Sequence, residues 1–221
     1  MRSRELAVRG AFVFTPQPSE DDGYGSSLST LQEEAFRAAL GRRIFSVAQA
    51  SYSRSRRGVA RGLHFTEVPP GRPKYVCCPR GRALDIVVDV RVGSPTFGRH
   101  EVVLLDQEQP CALYFPTGMG HVFVALEDDT VISYLIRGGY VPERERSLSM
   151  FDPDLALPLP DGIDLALSER DRAAPTLAEA QASGALPGYA ECLAAEERFW
   201  SAHGVSRAQP SWRNGATSIT D

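Results

Sequence analysis

Lys74 is the only lysine in a sequence that contains 24 cationic side chains. A lysine ammonium is compact and can offer one small donor to a developing oxyanion, a place that the planar guanidinium of arginine cannot take. In a chain that uses arginine almost everywhere else, Lys74 is therefore a candidate for chemistry at an oxygen atom that gains negative charge. The alternative is a lysine that occupies its position by chance.

Two of the four histidines lie in sequence surroundings that suit a ligand site. His64 follows a basic loop and precedes Lys74 by ten residues. His121 follows the sequence GMG, whose glycines let a turn bring a side chain close to a ligand. His100 at a loop edge and His203 near a helix end are expected to be ordinary surface histidines.

The elements that must position these side chains are short strands separated by Gly and Pro. Most of these strands recur at intervals of about 8 to 12 residues, a spacing typical of an antiparallel sandwich or barrel. The predicted strands cover residues 45–52, 74–78, 83–92, 101–105, 111–115, 122–126 and 130–136.

The segment 84–90 shows how one strand divides into two faces. Alternation places only apolar side chains on one face, whereas the other face carries Asp85, Val87 and Asp89. Two carboxylates on one face indicate that this face is partly wet, as the inside of a ligand-holding barrel would be. A solvated outer face is the alternative.

The two ends of the chain differ from the strand-rich centre at 46–146. Residues 1–45 predict a strand at 11–14, a polar loop and a short helix with an apolar face formed by Leu31, Ala35, Phe36, Ala39 and Leu40. Residues 147–221 predict a loop and helical extension, with Ser168 as a candidate N-cap and a final helix at about 189–203. The polar tail 209–221 is expected to be mobile.

The composition of the chain limits which binding partners and which cellular compartment are expected. The formal net charge of −4 gives no electrostatic case for a nucleic-acid partner. The longest apolar stretches are too short to span a bilayer, and the first residues lack the apolar core of a signal peptide. We therefore expect a cytoplasmic protein with no membrane partner. Cysteines 77, 78, 111 and 192 fall in no CxxC spacing and are expected to be buried free thiols.

Six motifs occur in an order that resembles the dTDP-4-dehydrorhamnose 3,5-epimerase family. They are RGLHF at 61–65, PK at 73–74, the segment 81–89 with its two aspartates, GSPTFG at 93–98, PTGMGH at 116–121 and LSERDRAAP at 167–175. The resemblance implies a mainly β fold, a double-stranded β-helix of the cupin class, with short helices at both ends. It also implies an isomerase that inverts C3, and in some relatives C5, of a dTDP-4-keto-6-deoxyhexose in deoxysugar biosynthesis, including antibiotic pathways.

Inversion beside a ketone requires a base, a donor at the ketone oxygen and an acid on the opposite face, because proton removal leaves an enolate. The resemblance assigns the base to His64, with Asp171 as its carboxylate partner. It places Lys74 beside the C4 oxygen and makes Tyr134 the acid. No metal or redox cofactor is required. A tyrosine that only packs inside the barrel is the alternative for Tyr134.

The resemblance also implies contacts to the substrate. Arg61 and Arg170 are candidates for the diphosphate, because a guanidinium matches phosphate oxygens in a bidentate way. His121 and Asp85 resemble a second histidine and carboxylate pair that lines the same cavity. We expect this pair to bind the sugar and to supply electrostatic support.

Three positions depart from the family pattern. Gln49 is retained on a strand near the substrate, but Ser51 stands where the family has asparagine. Asp22 replaces an arginine of the N-terminal loop, so nucleotide contacts from that side are expected to differ. After Tyr134 the sequence RGGY at 137–140 replaces polar and aromatic pocket residues. Its two glycines remove side-chain contacts, which favours inversion at C3 alone over inversion at both carbons.

Two other functions compete with this interpretation. A non-catalytic cupin that binds a sugar nucleotide is expected to lack a proton-transfer residue, whereas His64, Asp171, Lys74 and Tyr134 are all present. A metal-dependent cupin oxygenase needs histidines and a carboxylate at close strand spacing, and no H-x-H pair occurs here. We expect a homodimer, because barrels of the family pair through their sheets and the N-terminal segment is too polar and extended to pack only on its own barrel.

Overall fold

The computed structural model describes residues 1–17, 23–25 and 27–201. Within these residues the strands are β1 (Arg2–Glu5), β2 (Phe12–Thr15), β3 (Gln49–Ser55), β4 (Ala60–Thr66), β5 (Lys74–Arg80), β6 (Arg82–Val88), β7 (His100–Asp106), β8 (Ala112–Phe115), β9 (Gly120–Ala125), β10 (Thr130–Ile136) and β11 (Glu145–Ser147). They form a six-stranded sheet in the order β1-β2-β8-β5-β10-β3 and a five-stranded sheet in the order β11-β4-β9-β6-β7.

The two sheets face each other across an apolar core. Alternate side chains meet there, among them Val76 and Ile132 from the larger sheet and Val87 and Phe123 from the smaller one. All named strand pairs are antiparallel, and most partners are distant in sequence. The predicted mainly β, cupin-like jelly-roll barrel is confirmed.

Both outer faces of the barrel are also covered. The chain from Leu148 to Ala180, with helices α2 (Glu169–Arg172) and α3 (Leu177–Ala182), packs on the smaller sheet. Helices α1 (Glu33–Leu40) and α4 (Tyr189–Ser201) cover the larger sheet, where their Phe36 and Trp200 join an aromatic cluster. None of the helices within the described residues combines the length and apolar character needed to cross a membrane.

Three strands escape prediction from sequence. β1 is fully exposed and polar, so it has no alternating apolar pattern to detect. β4 carries Arg61 and His64 at an irregular point of its pairing with β9, which breaks the expected alternation. β11 is only three residues long. The predicted strand at 45–52 begins only at Gln49, because Phe45 turns into the aromatic cluster on the outer face.

The two-faced interpretation of β6 is confirmed, but its carboxylate face is not wet. Val87 lies in the inner core, whereas Ile86 and Val88 lie in the outer one. Asp85 and Asp89 are both fully buried. Asp89 accepts hydrogen bonds from the side chains of Arg91, Ser94 and Thr96, so its charge is paired inside the protein.

Local predictions at the chain ends meet different outcomes. Ser168 is confirmed as an N-cap, because its hydroxyl accepts a hydrogen bond from the Asp171 N–H at 3.1 Å. Helix α4 begins at Tyr189 as expected, whereas its predicted end at His203 and the tail 209–221 lie outside the described residues. The four cysteines are free, as predicted; two are buried and the other two partly buried.

The described part of the N-terminal segment packs on its own barrel. β2 pairs with β8 through Phe12 and Tyr114, Val13 and Leu113, and Phe14 and Ala112. The helix that follows is anchored by Phe36. Strand β1, at the edge of the same sheet, stays exposed, so the expectation that this segment does not pack only on its own barrel remains a prediction.

We predict that Phe36→Ala lowers the free energy of unfolding by about 3–5 kcal/mol. The Phe36 ring is fully buried. Its centroid lies 5.0 Å from that of Tyr114 in an edge-on contact and 5.7 Å from that of Phe14 in a stacked one, so removal of the ring leaves a cavity. Urea unfolding at one fixed protein concentration measures the change. Leu193→Ala on the exposed side of α4 is the control, and a loss below about 1 kcal/mol for Phe36→Ala would contradict the packing described.

Candidate active site

A cavity of about 280 Å³ opens between the two sheets. Its walls combine several cations, two histidines and a tyrosine with a few apolar side chains. The lining residues are Gln49, Ser51, Arg61, His64, Arg72, Lys74, His121, Phe123, Tyr134, Ile136, Tyr140, Glu145 and Arg170.

His64 and Asp171 form a hydrogen-bonded pair at the cavity wall. Nε2 of His64 lies 2.7 Å from Oδ1 of Asp171, whose side chain is 3% exposed. The short helix α2, capped by Ser168, presents this carboxylate from the C-terminal segment. Burial lowers the pKa of His64 below 6.5; Asp171 acts in the opposite direction, and Arg170 and Lys74 lower it further. A neutral imidazole at neutral pH, able to accept a proton, follows from this balance.

An irregularity in β4 brings Arg61 and His64 to the same cavity. The register of β4 on β9 shifts between these two residues, which strict alternation would place on opposite faces. Gly62 sits inside the irregularity with φ of +128°, and a side chain there would overlap the carbonyl oxygen of His121. Glycine is thus needed for the two strands to approach.

His121 and Asp85 form a second pair, deeper in the barrel. Nε2 of His121 lies 2.7 Å from Oδ2 of Asp85. The imidazole packs against the Phe115 ring, with 4.7 Å between the two ring centroids. His121 reaches the cavity, but Asp85 is fully buried behind it and does not. The expectation that both residues line the cavity is wrong for Asp85, which contacts His121 from behind the cavity wall.

Lys74 and Tyr134 lie on neighbouring strands of the larger sheet. Tyr134 pairs with Val76, two residues along β5 from Lys74, so the two side chains are diagonal neighbours on one face. Burial lowers the pKa of the Lys74 ammonium, a shift that nearby Arg72 increases and Glu145 and Asp85 oppose. Burial also raises the pKa of Tyr134 well above its usual 10, so the phenol keeps its proton.

The two arginines expected at the diphosphate border two adjoining cavities. Arg61, His64 and Arg170 line both the main cavity and a smaller one of about 220 Å³ in front of α2. Nε of Arg170 donates a hydrogen bond to the Ser147 hydroxyl at 2.7 Å, which fixes the guanidinium stem. The two exposed cations therefore stand at the entrance on the same side as His64.

Eight of the ten predicted site residues line the main cavity, and the other two, Asp85 and Asp171, hold its histidines. Sequence reasoning missed Arg72 and Glu145, which also line it. Nothing in the sequence separates these two from the other charged residues, because their meeting depends on β5 and β11 coming together. Asp22 lies outside the described residues.

The altered RGGY segment contributes to the cavity through Tyr140 alone. A Cβ atom added at Gly138 or Gly139 would have no atom within 4 Å. Arg137 instead lies 3.4 Å above the Phe199 ring in a separate cavity of about 420 Å³ on the outer face of the larger sheet. That larger cavity contains none of the predicted site residues. Among the residues described, no group of three or more His, Cys, Asp or Glu is placed to hold a metal ion.

A family profile described as dTDP-4-dehydrorhamnose 3,5-epimerase matches residues 5–179. The chain belongs to this family. It is 47% identical over 184 residues to the dTDP-4-dehydro-6-deoxyglucose 3-epimerase of Streptomyces bikiniensis, covering 83% of this chain and 93% of that one. It is 44% identical over 194 residues to the dTDP-4-dehydrorhamnose 3,5-epimerase of Mycolicibacterium smegmatis, covering 88% of this chain and 94% of that one.

Structural comparison agrees with this assignment. The crystal structure of ChmJ, a 3'-monoepimerase from Streptomyces bikiniensis in complex with dTDP-quinovose, superposes with a TM-score of 0.84 at 44% identity. The match covers 91% of this chain and all of that one. The epimerase family thus includes relatives named for inversion at C3 and relatives named for inversion at C3 and C5, both at similar distance from this chain.

We predict that His64 titrates below pH 6.5 and that Arg170→Gln raises its pKa, since Arg170 is one of the cations that favour the neutral ring. NMR titration of the His64 ring protons measures both values. Arg172→Gln, on the exposed side of the same short helix, is the matched control and leaves the pKa of His64 unchanged. A pKa of His64 above 6.5 in the wild-type protein would contradict the described balance.

Proposed function

We propose that the protein is a dTDP-sugar epimerase that inverts C3 of a dTDP-4-keto-6-deoxyhexose by proton transfer. The observation that carries the proposal is the placement of His64, paired with Asp171, on one sheet and Tyr134 on the facing sheet of a single cavity. Inversion requires that a proton leave one face of a carbon and another arrive at the opposite face. Two proton carriers on opposite walls suit that requirement.

His64 acts as the base. Because Nε2 is bonded to the Asp171 carboxylate, the neutral ring carries its proton there and its Nδ1 lone pair accepts the substrate proton. The carboxylate then stabilises the imidazolium that forms. The lowered pKa of His64 keeps the ring in its accepting form at neutral pH.

Lys74 stabilises the enolate. When the proton leaves the carbon beside the ketone, its electron pair moves to the ketone oxygen, where negative charge develops. A half-buried ammonium is a strong donor for that charge. Because the other cations of the chain are arginines, this role also explains why a lysine is kept at this position.

Tyr134 returns the proton. The raised pKa keeps its hydroxyl protonated, so it donates when the enolate collapses back to the ketone. His121 packs edge-on against its ring at 6.3 Å and restricts its orientation. Arg61 and Arg170 bind the diphosphate at the entrance, and Gln49, Ser51 and His121 contact the sugar.

Inversion at C3 alone is the regiochemistry we propose. Both carbons beside the C4 ketone can reach the same base only if the sugar occupies two poses. Gly138 and Gly139 precede Tyr140, which lines the cavity, and carry no side chain that could extend towards it to hold a second pose against His64 and Tyr134. A relative at 47% identity is named a 3-epimerase, in keeping with this regiochemistry.

We predict that incubation with dTDP-4-keto-6-deoxyglucose in D₂O places deuterium rapidly at C3 and slowly or not at all at C5, as followed by proton NMR. His64→Asn is the control, and it slows exchange by about 10²–10⁴-fold while dTDP still binds. Equal rapid incorporation at both carbons would make the protein a 3,5-epimerase. No incorporation at either carbon would favour the alternative function, a non-catalytic cupin that binds sugar nucleotides.

We further propose a cytoplasmic homodimer. β3 and β1 are the edges of the larger sheet, and Tyr52 on β3 is 75% exposed, so this sheet offers an open edge with an aromatic side chain. Pairing of barrels through their sheets would cover it.

Light scattering is predicted to give about twice the chain mass of 24.1 kDa. Tyr52→Asp places a charge on the open edge and is expected to shift the mass towards that of one chain. A wild-type mass near 24.1 kDa at working concentration would contradict the homodimer.

A further inference from the structure

Arg72 is a buried arginine that binds two other residues of the cavity wall. Its Nη1 donates to Oε1 of Glu145 at 2.8 Å, and its Nη2 donates to Oε1 of Gln49 at 2.9 Å. The side chains of Arg72 and Glu145 are only 4% and 8% exposed. Glu145 is held from its other side by the Thr66 hydroxyl. One guanidinium from the loop before β5 thus links β3 and β11.

This contact determines which end of the Gln49 amide is available to a ligand. If the amide were flipped, its NH₂ group would meet the guanidinium NH₂, and two donors would face each other. The carbonyl oxygen of Gln49 is therefore committed to Arg72, and the Nε2–H₂ group is the part left for the cavity. The Lys74 ammonium on the same cavity wall is a second donor, whereas the Glu145 carboxylate is engaged by Arg72 and Thr66.

We propose that Arg72 is a positioning residue of the epimerase site, which holds Gln49 as a hydrogen-bond donor to an acceptor oxygen of the keto sugar. Arg72 acts through Gln49 and need not touch the substrate. The inference rests on the proposed function, because it takes the keto sugar as the ligand of this wall. The Glu145 carboxylate neutralises the guanidinium and fixes its plane, so the same pair keeps the charge beside Lys74 balanced.

The first test is a double-mutant cycle on kcat/KM with Arg72→Met and Gln49→Ala. Each single variant is expected to have a kcat/KM about tenfold lower, which corresponds to the loss of one charge-assisted hydrogen bond. The kcat/KM of the double variant is expected to be no lower than that of either single variant. Losses that multiply to about a hundredfold would mean that Arg72 acts independently of Gln49 and would overturn the inference. So would an Arg72→Met enzyme with unchanged kcat/KM. Arg82→Met, at an exposed ion pair with Asp106, is the control.

A second readout separates positioning from loss of structure. The charged groups that shift the pKa of Lys74 are Arg72, Glu145 and Asp85. The Lys74 charge in turn lowers the pKa of His64. Activity needs the ammonium and is lost as pH rises through its pKa. Arg72→Met removes a cation that lowers the pKa of Lys74, so the alkaline limb of the pH profile of kcat moves to higher pH. Glu145→Gln removes an anion that raises it, so the limb moves to lower pH.

General destabilisation would not move the limb in opposite directions in the two variants. Shifts in the same direction, or no shift in either variant, would overturn the charge-balancing role. Arg72→Lys keeps the charge but cannot bridge both partners, so it restores the alkaline limb without restoring kcat/KM. Urea unfolding checks that each variant is folded. A wild-type protein that exchanges no protons with the keto sugar refutes the proposed function, whereas an active wild type with independent Arg72 and Gln49 refutes only this inference.

Discussion

Charge buried in an apolar barrel is the constraint on which the site depends. An ionised group buried between two packed sheets is stable only when it has a partner of opposite charge or several hydrogen bonds. The barrel meets this requirement with pairs: His64 with Asp171, His121 with Asp85, and Arg72 with Glu145. Each pair joins residues from different chain segments, so the groups that give the cavity its chemistry also hold its walls together.

The same pairs determine which groups keep or lose their protons. Burial disfavours charge on His64 and on Lys74, but the two residues have different neighbours. His64 is buried and lies near two cations as well as Asp171, so its pKa is lowered and its ring is neutral at neutral pH. Tyr134, buried on the opposite sheet, keeps its proton. Burial and the neighbouring charges thus leave one wall with a proton acceptor and the other with a proton donor, which suits a reaction that moves a proton from one face of a carbon to the other.

The outer layers of the barrel stabilise the site indirectly. The C-terminal segment covers the smaller sheet and carries Asp171 to the back of His64. On the other side, α4 reaches the turn before His121, where the Glu196 carboxylate accepts a hydrogen bond from the Thr117 N–H at 2.9 Å. Asp171 and Glu196 both lie outside the barrel strands. The segments on both sides of the barrel therefore help to support His64 and His121.

Sequence by itself determined the fold class and most of the candidate residues. Strand spacing and alternation predict the barrel, because a half-buried strand repeats every two residues whatever its partner. Ordered motifs and a single lysine point to His64, Lys74, Tyr134 and their companions. What the tertiary structure decided depends on contacts between distant segments. It placed Asp85 behind His121, and it turned Arg61 and His64 to one cavity through a register shift that alternation does not reveal. It brought Arg72, Glu145 and Gln49 together from three separate segments, an encounter that no local pattern encodes.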